Sequence, residues 1–451
     1  MTTSLLCLAV VLGVGVAANG QQPPDLFDSH SDGSDGDLDL SNDHGTVVFI
    51  PSNYGGDQHA LNIFNWKTIT IPKDVTLKID TANLDPNVYG PVYFLAQGDV
   101  DIEGTIDLSG QPGLPPSNDL NGRRRSTDAG AGGFDGGIGG RNDGMNNPNE
   151  PLPLPGDGPG GGAAGYQGNG CTWGGAGGRF SGNNLLVPLV GGSGGGGAIY
   201  IRATPPYGAS GGAGGGALLI ASSTTITVNG TINASGGNGG TPGGSGCYCN
   251  FVFCNGDSQG YGGAGSGGGI RLVANTITGS GVLTVAGGQG FGYQDGSHVN
   301  NGGLGVIRFE AFTETFSGKT TGTVSIGTPY YGFLGLPTTP PPTIVVTMVD
   351  NNQVANPPKG SLINPDVTID NSSQVMVMVQ AAYIPLGTKL TLNVFSENGT
   401  NGTNQTVQTT PLSGTLEQST ATAMLTFPSG YSLNYMKATW QTMNQMLKRR
   451  Q

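Results

Sequence analysis

The sequence predicts an all-β chain in two parts: a glycine-rich domain of stacked, β-helix-like strand repeats, then a small β-sandwich. Three observations predict it. Glycine makes up 84 of 451 residues and only 11% are charged, and each glycine inside a helix costs about 1 kcal/mol relative to alanine, which works against long helices. Three segments repeat one pattern of two short strands and a glycine-rich excursion. Beyond a proline-rich stretch at 337–342, short alternating apolar runs are punctuated by turn signals.

The repeat carries most of the argument. Segments 92–113, 217–240 and 269–290 each hold an apolar strand, a polar bend, an alternating strand and a glycine run. In the second strand, Val100, Ile102, Gly104, Ile106 and Leu108 correspond to Ile226, Val228, Gly230, Ile232 and Ala234, then to Ile277, Gly279, Gly281, Leu283 and Val285. Polar residues intervene, and period-two alternation marks a half-buried strand. Partial copies, AIYIRA at 198–203 and VIRFEA at 306–311, predict further rungs, about five or six in all. Strand pairs that cannot bury their apolar face alone stack on their neighbours, as in a parallel β-helix. A β-sandwich built from the same strands is the architectural alternative. Collagen is excluded, because the glycines keep no strict three-residue period with proline.

The elements follow in order. Residues 1–18 read as a signal peptide: the apolar run 5–16 is too short to span a bilayer, and Val16 and Ala18 place cleavage after Ala18, although no Lys or Arg precedes the run. Residues 19–44 form an acidic segment, and 45–336 the glycine-rich domain. Its insertion near 129–197 reads either as disorder or as a compact lattice of polyproline-II-like glycine segments. Residues 337–342 are a stiff linker, 343–440 suit an immunoglobulin-like or fibronectin-III-like sandwich without the Cys-Trp-Cys core, and 441–451 are a basic tail. No later apolar segment is long enough for a membrane helix, so the expected location is extracellular or at the cell surface.

A formal net charge of −12 with no basic stripe excludes nucleic-acid binding as the main task. If Cys7 leaves with the signal, Cys171, Cys247, Cys249 and Cys254 remain, and an exported chain pairs an even number as two disulfides. Zinc is disfavoured by the absence of a CxxC pair. Ser193 and Ser210 satisfy GxSxG, but without the strand-turn-helix setting of a nucleophile elbow. Gly318-Lys319-Thr320 ends like a P-loop, yet Thr313 stands where the first glycine belongs. His30, His44, His59 and His298 lack metal-ligand spacing.

Two acidic groups stand out. Asp32, Asp35, Asp37 and Asp39 are candidate calcium ligands of a loose site; the EF-hand pattern fails because Gly36 comes one position early and Asp43 replaces the terminal Glu. Asp99, Asp101, Glu103 and Asp107 are expected to share the outer face of one rung, spaced like the carboxylates of a β-helix polysaccharide lyase or hydrolase, but with no base beside them.

The passages SDGSDGDLDL, KTITIPKDVTLKID, FLAQGDVDIEGTIDLSG and GGGIRLVA, spread over residues 31–311, resemble a group of bacterial secreted proteins with glycine-rich repeats on a β-helix-like frame. VQAAYIPLGTKLTLNVFSENG is similar to the sandwich domain at their C-termini. The resemblance implies architecture and carries over no catalytic residue. The expected function is that of a secreted or surface structural or adhesive protein, a matrix component or spacer, without catalysis or cofactor beyond the calcium candidates. Its partners would be surface polysaccharide or other copies of itself. The alternatives are a β-helix polysaccharide lyase or glycoside hydrolase, and a tail-fibre-like adhesin stacking glycans on Tyr248, Phe251, Tyr261 and Tyr293.

Overall fold

A computed structural model describes residues 26–50, 61–79, 90–115, 126–142, 153–165, 167–168, 171–172, 174–201, 208–241, 258–290, 300–329, 334–338, 342–355, 365–370, 374–397, 405–427 and 433–440. All regular elements among them are strands.

Two parallel sheets form the frame, one of nine strands and one of six. The repeat of the sequence is the repeat of the fold. Ala217–Val228 pairs in parallel with Gly269–Thr278 on one side and with Val92–Ala96 and Val100–Ile102 on the other. Each copy then turns a corner and adds a short strand to the second sheet, where Ile232 is the register partner of both Ile106 and Leu283. All three are fully buried in the core between the sheets. Glycine makes the corner possible: a Cβ on Gly230 would lie 1.9 Å from the carbonyl oxygen of Gly104, and one on Gly281 2.1 Å from that of Gly230. The sequence pattern read as one alternating strand is therefore two, on different sheets.

At the N-terminal end of the frame, Leu38–Asp39 and Gly45–Val48 pair with Ile69–Ile71 and Val75–Lys78, so the acidic segment contributes strand to it. Phe49, Phe64, Trp66 and Phe94 plug this end with stacked and edge-on rings. Val92–Ala96 is buried on both faces, because segments around Phe27, Leu186, Leu189 and Leu334 cover the outside of the larger sheet. That explains why these strands read as unbroken apolar runs. The expected rung at 198–203 is corrected: Ile199–Ile201 joins Gly140–Asn142 and Ser258–Gln259 in a separate sheet. It continues the glycine segment before it, whose hydrogen-bond partners are other glycine segments.

Those glycine segments form a lattice. Along 208–217, Gly208, Gly211, Gly214 and Ala217 donate to the carbonyls of Gly140, Gly137, Phe134 and Ala131 at 2.8, 2.7, 2.9 and 2.7 Å. Ser210, Ala213 and Gly216 donate to Leu114, Gln111 and Leu108, and Gly212 and Gly215 to Gly263 and Ser266. A three-residue period with every bond going to another segment is the behaviour of polyproline-II-like chains. The spacing admits no side chain at the crossing points: a Cβ on Gly211 would be 1.9 Å from Gly195 O, and one on Gly214 1.9 Å from Gly192 O. Of the two readings of 129–197, the described part is the lattice, and the excursions of the later repeats belong to it.

The C-terminal module is a five-stranded and a three-stranded antiparallel sheet. Val377, Val379, Leu390, Leu392, Ala423 and Leu425 lie in the one core they share.

Candidate functional site

The acidic rung is split by the corner. Asp101 belongs to the larger sheet with Asp99 just before its strand, Glu103 stands at the bend and Asp107 faces out from the smaller sheet, so the expectation of one shared carboxylate face is corrected. Three of the four carboxylates are matched by an uncharged donor on the next rung. Thr224 Oγ1 donates to Asp99 at 2.5 Å, Asn229 Nδ2 to Glu103 at 2.8 Å and Asn233 Nδ2 to Asp107 at 3.1 Å. Asp101 is the register partner of Thr70 and Thr227; partial burial, then the Glu103 and Asp99 charges, raise its carboxyl above the usual range. The arrangement ties rungs together and presents a polar wall.

The calcium candidates are not brought to one centre. Asp32 accepts from Ser34 N, Asp35 from Asn65 N, Asp37 from Thr68 Oγ1 and Asp39 from the Ser41 amide and hydroxyl. The bonds from Ser34 and Ser41 hold Asp32 and Asp39 below the usual carboxylate range. Among the described residues no group of three or more His, Cys, Asp and Glu side chains is placed to hold a metal ion. His44 Nδ1 meets Asp74 at 2.5 Å, a hydrogen bond that keeps Asp74 low, and His30 lies beside Asp28. His59 and His298 lie outside the described residues.

The GxSxG serines sit inside the lattice. Ser193 and Ser210 are buried, and Ser266 Oγ accepts from the Ser193 amide at 2.8 Å. Cys171 starts the two-residue strand Cys171–Thr172, which pairs with Gln167–Gly168; Cys247, Cys249 and Cys254 lie outside the described residues, as do Tyr248, Phe251 and Tyr293. Tyr261 is half-buried, its carbonyl accepting from Gly175 N. No family model, curated protein or solved structure matches this chain. Among the described residues no helix is long and apolar enough to cross a membrane.

Two charged groups had escaped the sequence reading. On the covered face of the larger sheet, Arg271 makes a two-pronged contact with Glu310 at 2.9 and 3.3 Å and donates to Leu334 O at 2.6 Å. Arg308 adds a third bond to Glu310 at 3.2 Å. Burial pushes the neighbouring Tyr93 hydroxyl up to about 12, with the Arg271 charge opposing. The signal was present: Arg271 and Arg308 occupy the same place in GIRLVA and VIRFEA, a charge inside an otherwise apolar strand. The second group is Asp135, Asp157 and Lys437. Asp157 donates its amide to Asp135 O, and Lys437 Nζ reaches Asp157 Oδ1. Burial, then the Asp157 charge, push the Asp135 carboxyl up to about 7. Nothing in their local sequence links residues 280 positions apart.

Proposed function

We propose that this chain is a secreted or cell-surface structural or adhesive protein: a rigid spacer that carries a C-terminal module. In this reading the two parallel sheets are the walls of a β-helix frame, and the C-terminal sheets are an immunoglobulin-like or fibronectin-III-like sandwich. One observation carries it. The glycine segments spend their backbone hydrogen bonds on one another and on the frame, as Gly216 N does on Leu108 O, so the glycine-rich part is cross-braced rather than flexible. A cross-braced, acidic body with few charges suits a stiff surface element. The resemblance of residues 31–311 to secreted glycine-rich repeat proteins and the leader-like residues 1–18 support the extracellular location. Of the carboxylates that would serve a polysaccharide-cleaving enzyme, Asp99, Glu103 and Asp107 accept from Thr224, Asn229 and Asn233, a pattern that suits rung-to-rung bracing.

Pulling single molecules of the full chain from both ends tests the spacer. The expected trace shows the glycine-rich part rupturing together with the frame. Gradual lengthening at low force, as a disordered glycine linker gives, would overturn the reading.

A further inference from the structure

The C-terminal module and the glycine-rich part keep separate apolar cores. The clusters of the glycine-rich part reach no further than Leu336, and that of the module begins at Ile344. Where the two meet, a charge contact joins them: Lys437 Nζ donates to Asp157 Oδ1. Both partners are placed by their surroundings. Lys437 lies on Leu433–Thr439 between Met436 and Ala438, which pack against the module's core. Alternation along the strand therefore turns the lysine outward. Asp157 is fixed by its backbone, which donates to Asp135 O at 2.9 Å and accepts from Gly194 N at 3.0 Å. Gly158, at φ +92°, starts the reversal behind it. The Asp157 charge is close enough to act on the neighbouring Asp135 carboxyl as well.

We propose that the Lys437–Asp157 pair is an electrostatic latch, which docks the C-terminal module on the glycine lattice and frees it when the pair is broken. The side chains keep 26% and 36% of their surface exposed, so salt and competing ions reach them. A contact this exposed is weak between separate molecules. Here a short proline-rich linker tethers the module, and an effective concentration on the order of millimolar lets a weak contact hold. Among the described residues no apolar cluster spans the two parts, so charge decides between docked and free. The latch is independent of whether the chain is adhesive, because it concerns only how the two parts sit.

Small-angle scattering of the full chain reads the latch as a radius of gyration. The wild type is expected to be compact at low salt and to expand in about 1 M salt, where screening shortens to about 3 Å. Asp157→Lys is expected to be expanded at low salt, and adding Lys437→Asp, which restores the pair with the charges exchanged, should return the compact radius. Lys437→Glu, which leaves the lattice untouched, should also expand the chain and guards against a lattice that fails to fold. A low-salt radius unchanged by Lys437→Glu, or an exchanged pair that stays expanded while thermal unfolding remains that of the wild type, would overturn the proposal.

Discussion

Replacing Gly211 by alanine should destabilise the protein far more than the same change at Gly303, although both glycines belong to the lattice. At Gly211 the new methyl would lie 1.9 Å from Gly195 O and 2.5 Å from Gly195 C, both backbone atoms. No rotamer change relieves this, so the two segments must part by about 1 Å or more, given carbon contacts of about 3.5 Å. Parting them breaks Gly195 N to Gly212 O at 2.9 Å and strains Gly211 N to Gly137 O at 2.7 Å. With about 1–3 kcal/mol for each of the two buried groups left unsatisfied, the loss is about 2–6 kcal/mol. At Gly303 the nearest atom is Arg179 Cα at 3.4 Å, an ordinary contact, and a compatible Gly-to-Ala change is neutral or slightly stabilising. Thermal unfolding followed by calorimetry compares the two variants. A Gly211→Ala midpoint equal to that of Gly303→Ala would refute the lattice.

Three further outcomes are expected. Ile232→Asp places a carboxylate between Ile106 and Leu283 in the frame core and should cost several kcal/mol, whereas Thr231→Asp, on the outer face, should be nearly neutral; equal midpoints would reverse the assigned faces. Glu310→Ala leaves the buried Arg271 without its carboxylate and should cost about 3–5 kcal/mol; chemical denaturation giving less than 1 kcal/mol (~) would count against the pair. Asp135 has its native carboxyl raised from 3.8 to about 7, so the stability tied to its proton is complete below about pH 4 and is lost as pH rises through about 7. The full shift corresponds to about 4 kcal/mol, reduced to about 2 kcal/mol by the solvent that still reaches the side chain. Asp135→Asn should therefore be the more stable protein at pH 8 and match the wild type at pH 4, and denaturation curves parallel at both pH values would contradict this.

The frame was legible because its pattern is local and repeated. Period-two alternation assigned Ile106, Ile232 and Leu283 to equivalent inward positions, and their register partnership follows from that spacing. The corner at Gly104 was not legible, because residues on either side keep the same alternation while the chain changes sheets. The demand there is for close backbone approach, which leaves only a glycine as its trace. Ile199–Ile201 misled for the opposite reason: its apolar residues match the first strand of the repeat, but its partners are set by the glycine segment leading into it. The lattice itself was one of two readings, since a composition rich in glycine favours disorder and a three-residue bundle equally until neighbouring segments are in place. The acidic face was misassigned through the missed corner. The Asp157–Lys437 contact, between distant parts of the chain, has no sequence signature at all.

Amide hydrogen exchange at the lattice glycines tests the central claim most directly. Gly195, Gly211, Gly212, Gly214 and Gly263 carry no helix or sheet pairing, yet each donates to a carbonyl of another segment, at 2.9, 2.7, 2.8, 2.9 and 2.9 Å. Exchange of these amides should be as slow as that of Leu219 and Ile220 in the frame, because all of them open only when the cross-braced body opens. Exchange at the rate of unstructured glycine, with the frame amides still protected, would contradict the account.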